Sequence, residues 1–186
     1  MTLTHYKILA EKITYTGAEL KSGWVQRQTG LEGDAAAAFL GPCRVATEDL
    51  VDLDDARDGF NIRAAEMAHV IIEHQGLSLQ ATVLRQRLLA SILCEMLRER
   101  GKPVKREGDD LFYDGRKLTV SIAAPSRHSC LIHLGINVDP EGAPVPAVGL
   151  AELGVPPIEL LETLLQRYQK EMSTAAHAET KVRMVD

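Results

Sequence analysis

Lys117, Thr119 and Ser121 recur at every second position of the stretch Arg116–Ala123, interleaved with Leu118, Val120 and Ile122. At the period of a β-strand this spacing puts an amine and two hydroxyls in one row and the branched apolar side chains in the other. The segment Cys130–Val138 divides in the same way. Cys130, Ile132, Leu134, Ile136 and Val138 form an apolar face, and Leu131, His133, Gly135 and Asn137 form its opposite. Two such strands side by side line one cleft with Lys117, Thr119, Ser121, His133 and Asn137, and Gly135 lets a ligand or another backbone approach closely. Asp109 and Asp110 stand just before, ahead of a hairpin signal at Asp114-Gly115. A lysine among these groups is suited to holding a carboxylate or phosphate. The alternative is a sheet whose second face is covered by a helix or simply wet, and the pattern alone leaves both open.

Other chemistry-bearing residues give weaker signals. His69, Glu73 and His74 have one residue too many between them for an inverted zinc-protease motif, and on a strand His69 and His74 face opposite sides. Asp49–Asp58 is acidic, but it lacks the spacing and central glycine of a calcium loop and reads as a solvated turn. Cys43, Cys94 and Cys130 are scattered, with no ligand spacing, so neither a metal site nor a disulfide framework is expected. Alternation places Cys130 on an apolar face, as a structural residue.

The elements that must position the cleft follow from pattern and punctuation. Tyr6–Tyr15 reads as a first strand and Leu20–Thr29 as a short helix or turn. Ala35–Leu40 and Cys43–Ala46 read as strand material split by a Gly41-Pro42 turn. Ala64–His74 fits a buried strand or part of a helix. Leu79–Arg100 has helical periodicity, stopped by Gly101 and Pro103, with Arg85, Arg87, Arg98 and Arg100 on its wet face. Pro156–Glu171 is a second amphipathic helix, and residues 174–186 are a polar tail with a short strand at KVRMV. The mixture lacks strict alternation of strands and helices. We therefore expect a single α+β domain over residues 1–186, a mixed sheet with helices packed on it.

A net charge of −5 disfavours general nucleic-acid binding, which needs surplus lysine and arginine. Aromatic residues at 4% are too few for a base-stacking platform. No apolar run reaches the length of a membrane-spanning helix and the N-terminal residues carry no signal pattern, so a cytoplasmic protein is expected.

The run Asp109-Asp-Leu-Phe-Tyr-Asp-Gly-Arg-Lys-Leu118 resembles a segment of the biotin-protein ligases, in which Asn-Asp-Leu, a hairpin turn and Arg-Lys-Leu follow one another. Lipoate-protein ligases share a version of it. Leu131–Asp139 resembles the ligase strand that ends Gly-Ile-Asn-Val, and Ala147–Leu150 with Leu153-Gly154 echo a later ligase stretch. Through its TGLEGD, GDDL, KLTVSIA, IHLGINV and KVR segments the whole chain is similar to a family of uncharacterised archaeal and bacterial proteins with that fold. The resemblance implies an α+β ligase-like catalytic domain. It implies that Lys117 contacts a carboxyl and a phosphate, that Asp110 helps to hold ATP and its Mg ion, and that Asn137 structures the end of the cleft. Where the ligases carry a glycine- and arginine-rich loop, this chain has only the segment from Gln26 to Asp34, with an acid where the arginines stand, and Arg27 and Gly30 are its ligand-binding candidates. Departures fall at Asp109, where the ligases have Asn, at Val120, where they have a small residue, and at His133, where they have a pocket glycine. The expected functions are activation or transfer of a small acyl group, or binding of a small anion or nucleotide without chemistry. A homodimer formed through edge strands, with Ala64–Ile72 at the contact, is the third expectation.

Overall fold

The computed structural model describes residues 5–185. Five strands form the main sheet in the order β1 (His5–Ile8), β2 (Ala35–Val45), β3 (Ile62–Gln75), β8 (Ser129–Asp139) and β7 (Thr119–Pro125). β1 runs parallel to β2, and the other neighbours are antiparallel. A second, three-stranded sheet holds β4 (Lys105–Glu107), β5 (Asp110–Tyr113) and β6 (Arg116–Lys117). The β5–β6 hairpin turns at Asp114 and Gly115, with φ of 50° and 70°, the left-handed pair that a tight hairpin demands.

Two helices cover one face of the main sheet. α3 (Leu79–Glu99) buries Thr82, Gln86, Leu89, Leu93, Met96 and Leu97 at helical spacing, and the Ser78 hydroxyl caps it by accepting from the Ala81 N–H. α5 (Pro157–Thr180) begins with proline in its first turn and buries Leu160, Leu161, Leu164, Leu165, Tyr168 and Met172. These residues share one core with Ala68, Val70 and Ile72 of β3 and Ile132, Leu134 and Ile136 of β8. The other face carries a second core under α1 (Trp24–Thr29), built from Tyr15, Trp24, Phe39, Met67, Ile71 and Leu131. The short helices α2 (Leu53–Arg57) and α4 (Leu150–Leu153) lie in the connections.

Four expectations change. Gly41-Pro42 does not split two strands but lies within a continuous β2, where the register against β3 shifts between Gly41 and Cys43 and two residues of β3, Ala65 and Glu66, stand opposite Pro42. The chain passes close over Gly41 at Ile13, whose backbone N–H donates to the Leu40 carbonyl. Strand β1 ends at Ile8, and Tyr15 adds only an isolated bridge to Cys43. The C-terminal region extends α5 to Thr180 instead of forming a strand, because His177 and its neighbours continue the helix; residues 181–185 lie outside any strand. Ala64–Ile72 sits in the middle of the sheet, paired on both edges, so it is not a dimer contact.

A glycine is required at 41, because a Cβ there would stand 2.0 Å from the Ile13 carbonyl oxygen. Gly41→Ala forces two backbones apart. We expect it to destabilise the fold by about 1–3 kcal/mol, read as a lowered urea midpoint at unchanged slope. An unchanged midpoint would show that the two backbones move apart freely.

Candidate functional site

The polar row on β8 stands where its alternation puts it, but β7 is inverted. Leu118 joins the helix-side core, and so does the face that carries Thr119 and Ser121. Two successive residues therefore face the same side where the chain passes from β6 into β7, and parity reverses beyond them. The register pairs Val120 with Gly135 and Ile122 with His133. Val120 and Ile122 consequently line the cleft, Thr119 does not reach it, and Ser121 stays on its lining with its hydroxyl turned to Gln86 of α3. The Thr119 hydroxyl is fully buried and accepts from the Leu111 N–H at 2.8 Å. The Ser121 hydroxyl donates to the His133 carbonyl at 2.8 Å and accepts from the Gln86 amide at 3.0 Å. Both are structural bonds.

A cavity of about 330 Å³ opens on the face away from α3 and α5. Tyr15, Met67, Val120, Ile122 and His133 line it, together with Lys117, Asn137, Asp109 and Asp110. Its mouth carries Asp49, Val51, Asp52, Asp55, Phe60, Arg63 and Val145. The acidic stretch expected to be a solvated turn therefore forms one wall. Asp52 caps α2 by accepting from the Asp54 and Asp55 N–H groups, and Asp55 lies on the cavity lining within the field of Lys117. Nothing in the spacing of this run signals the site; only the tertiary fold brings it to Lys117.

Lys117 is held through its backbone. Its N–H donates to the Pro146 carbonyl at 2.9 Å, and its carbonyl accepts from the Val148 N–H at 3.0 Å and the Asn137 side-chain amide at 3.2 Å. Its ammonium pairs with Asp110 at 2.7 Å. Asn137 thus acts through the Lys117 backbone. Burial pushes the Asp110 carboxyl above its ordinary value despite the hydrogen bond from Lys117, and repulsion from Asp109 and Asp55 adds to the rise. Asp55 is raised too, by burial and then by Asp52, against the pull of Lys117. Asp109 is engaged by the Gln86 amide at 2.7 Å and by Arg87 at 3.4 Å.

Arg27 and Gly30 do not reach the cavity. Arg27 is exposed on α1 and turns back toward the Ser22 carbonyl, and Gly30 ends that helix. Gly135 admits side chains and not a ligand. A Cβ there would lie 2.9 Å from the Met67 methyl and 3.1 Å from a Val120 methyl.

His133 meets a residue that sequence spacing did not connect to it. His69 Nε2 lies 3.2 Å from the Gly41 carbonyl, and its Nδ1 lies 3.1 Å from His133 Nε2. Tyr15 stacks on His133 with ring centres 3.8 Å apart, and Phe39 stacks on His69 at 4.9 Å. Pairing of β3 with β8 sets His69 against Gly135, one pleat from His133 on the same face. Burial pushes His69 down to about 4 and His133 well below its ordinary value. His74, on the opposite face, bonds through Nδ1 to Asp34 at 2.9 Å, with the Arg85 guanidinium 3.0 Å from the same nitrogen, and through Nε2 to the Tyr168 hydroxyl at 3.3 Å. Burial lowers it as well. Burial raises Asp34, but the bonds from His74 and the Gln75 N–H and the charge on Arg85 bring it below its ordinary value.

The mixed sheet, the two helices on one face and the cleft on the other define an α+β domain of the biotin/lipoate-protein ligase type. A putative lipoate protein ligase from T. acidophilum, solved with bound lipoic acid, has the same fold. It superposes with a TM-score of 0.58 at 13% identity over 92% of this chain and 86% of that one. Biotin protein ligase from Aquifex aeolicus, in complex with biotin and ATP, gives 0.56 at 16% identity over 92% and 71%. Within that class the chain belongs to the family described as a domain of unknown function, DUF366, which matches residues 4–183. The uncharacterised protein MJ0805 of Methanocaldococcus jannaschii is 33% identical over 87% of this chain and 76% of its own length. A protein of unknown function from Pyrococcus horikoshi superposes with a TM-score of 0.91 at 35% identity, over 97% of this chain and all of that one.

The three buried histidines carry a pH prediction. Each has a folded-state pKa below its unfolded value of about 6.5, so on acidification the unfolded chain takes up protons first. Their contribution is fully present above that value and is lost as pH falls through it toward 4. His69 alone accounts for a loss on the order of 2 kcal/mol by pH 5. Urea midpoints should fall steadily between pH 7 and pH 5; a flat profile over that range would refute the neutral-histidine assignment.

Proposed function

We propose that the cavity binds a small carboxylate and activates or transfers its acyl group, with Lys117 as the cation that holds the carboxylate or an adjoining phosphate. The observation that carries this reading is the way Lys117 is presented. Its backbone is fixed at both N–H and C=O, and its ammonium is half-buried at the cavity wall against a single carboxylate. A cation placed in advance beside a developing negative charge stabilises it without reorganisation. The ligands bound in the solved biotin and lipoate ligases, lipoic acid, biotin and ATP, are of the chemical class that such a lysine receives.

ATP with Mg is part of this proposal. Among the described residues no three His, Cys, Asp or Glu side chains stand as a metal-ligand set. A Mg ion serving phosphates needs only one or two carboxylates, the rest of its shell being water and phosphate oxygen. Asp55 and Asp110, both raised by burial and by neighbouring carboxylates, are the pair whose repulsion such a cation relieves. ATP would supply the leaving group for carboxylate activation, and this chain's part is to hold the acid at Lys117 and shield it from water.

ATP–pyrophosphate exchange across a panel of carboxylic acids tests the reading. Lys117→Ala should reduce any exchange by at least about 100-fold while leaving the circular dichroism spectrum intact. Exchange with no acid at all counts against activation.

One observation favours the second reading, binding without chemistry. Among the described residues the cavity lining holds only two cations, Arg63 and Lys117, and the α1 segment adds none. Under that reading a small anion or nucleotide raises the melting temperature, Lys117→Ala removes the rise, and no exchange is detected.

A further inference from the structure

His133 lines the cavity four residues along β8 from Asn137, which bonds the Lys117 carbonyl, and the protons around it follow from its partners. The Gly41 carbonyl can only accept, so His69 carries its proton on Nε2. The pair is buried in an apolar stack of rings, which keeps both imidazoles neutral. His69 Nδ1 is then a lone pair and must accept from His133 Nε2–H. His133 Nδ1 is left as a lone pair as well. No protein group among the described residues bonds to it, and every fully buried side-chain nitrogen or oxygen there has a partner. This atom therefore borders the cavity that His133 lines.

We propose that His133 Nδ1 is a dedicated hydrogen-bond acceptor for the far end of the ligand, and that His69 is the positioning residue that fixes its tautomer. This rests on the carboxylate reading above and specifies the substrate class. Asn137, bonded to the Lys117 carbonyl, and His133 are four residues apart on β8, about 13 Å of strand. The ligand is a carboxylic acid with an extended apolar middle, matching Val120, Ile122 and Met67, and an O–H or N–H donor at its other end. A plain fatty acid leaves the His133 lone pair without water or partner, and a site built to accept a hydrogen bond discriminates against an analogue that lacks the donor.

The test uses octanoate, 8-hydroxyoctanoate and 8-methoxyoctanoate, titrated into the full chain by calorimetry with and without Mg–ATP. The hydroxy acid should bind about tenfold or more tightly than the other two. That preference should disappear in His133→Phe, and also in His69→Phe, which keeps the ring stack but removes the acceptor for Nε2–H. Nitrogen-15 imidazole shifts of the ligand-free protein give a readout that does not depend on folding of the variants: both histidines should be neutral and protonated on Nε2. Equal affinity for the three acids, or a His133 protonated on Nδ1, overturns this inference and leaves the carboxylate reading standing. Binding of none of the acids under either condition overturns both.

Discussion

The site depends on how the Lys117 carbonyl is held. Two donors converge on it, the Val148 N–H from the loop before α4 and the Asn137 amide from β8. They fasten the chain at the point where it leaves the small sheet and enters the large one. Leu118 drops into the helix-side core, its carbonyl accepts from the Asn137 N–H, and β7 continues with parity reversed. A buried carbonyl with two donors is a well-satisfied joint. Everything beyond it, including the apolar wall of Val120 and Ile122 and the burial of the Thr119 and Ser121 hydroxyls, is a consequence of that one crossing.

β3 supplies the second constraint. It is the central strand, and its two faces carry two histidine arrangements of opposite kind. On the helix side His74 is bound between a carboxylate and a tyrosine hydroxyl, joining β2, β3 and α5, and this is a structural tie. On the cavity side His69 and His133 form a line that starts at a carbonyl and ends at an open lone pair. Gly41 stands two residues along β2 from Phe39, the register partner of His69, and its carbonyl lies within reach of the His69 ring. The close approach of Ile13 at Gly41 and the histidine pair therefore share one place in the sheet.

The ligase-like α+β fold, the helices, the Asp114-Gly115 hairpin and the faces of β8 were legible in the sequence, because each depends on local periodicity or on a turn residue with one backbone solution. The cavity wall from β7 was not. Strict alternation from Lys117 onward predicts Thr119 and Ser121 on the cleft face of β7, and only the pairing of β7 with β8, with the Leu118 N–H bonded to the Leu111 carbonyl, reveals the doubled step at Leu118. Arg27 and Gly30 were assigned through likeness to a basic loop. Here that segment is a short helix whose entry is fixed by Glu73, which accepts from the Gly23 N–H and the Ser22 and Ser129 hydroxyls. The Asp49–Asp58 run looked solvated because its role depends on a partner, Lys117, some sixty residues away in sequence.

The charge balance at the mouth bears on what the cavity admits. Asp49, Asp52, Asp55, Asp109 and Asp110 surround two cations, Arg63 and Lys117. A bare anion entering this field meets net repulsion, and at Lys117 it competes with Asp110, which already occupies the ammonium at 2.7 Å. Two routes reduce that penalty. Asp110 takes up a proton, for which burial has prepared it, or a cation arrives with the ligand and offsets the carboxylates together. The first couples binding to pH and the second couples it to a metal–nucleotide pair. Both make Asp110 the group against which an anion at Lys117 is weighed. The neutral, hydrogen-bonding end of the cavity at His133 lies beyond this acidic gate, so a ligand whose only attraction is its charge has little reason to pass it.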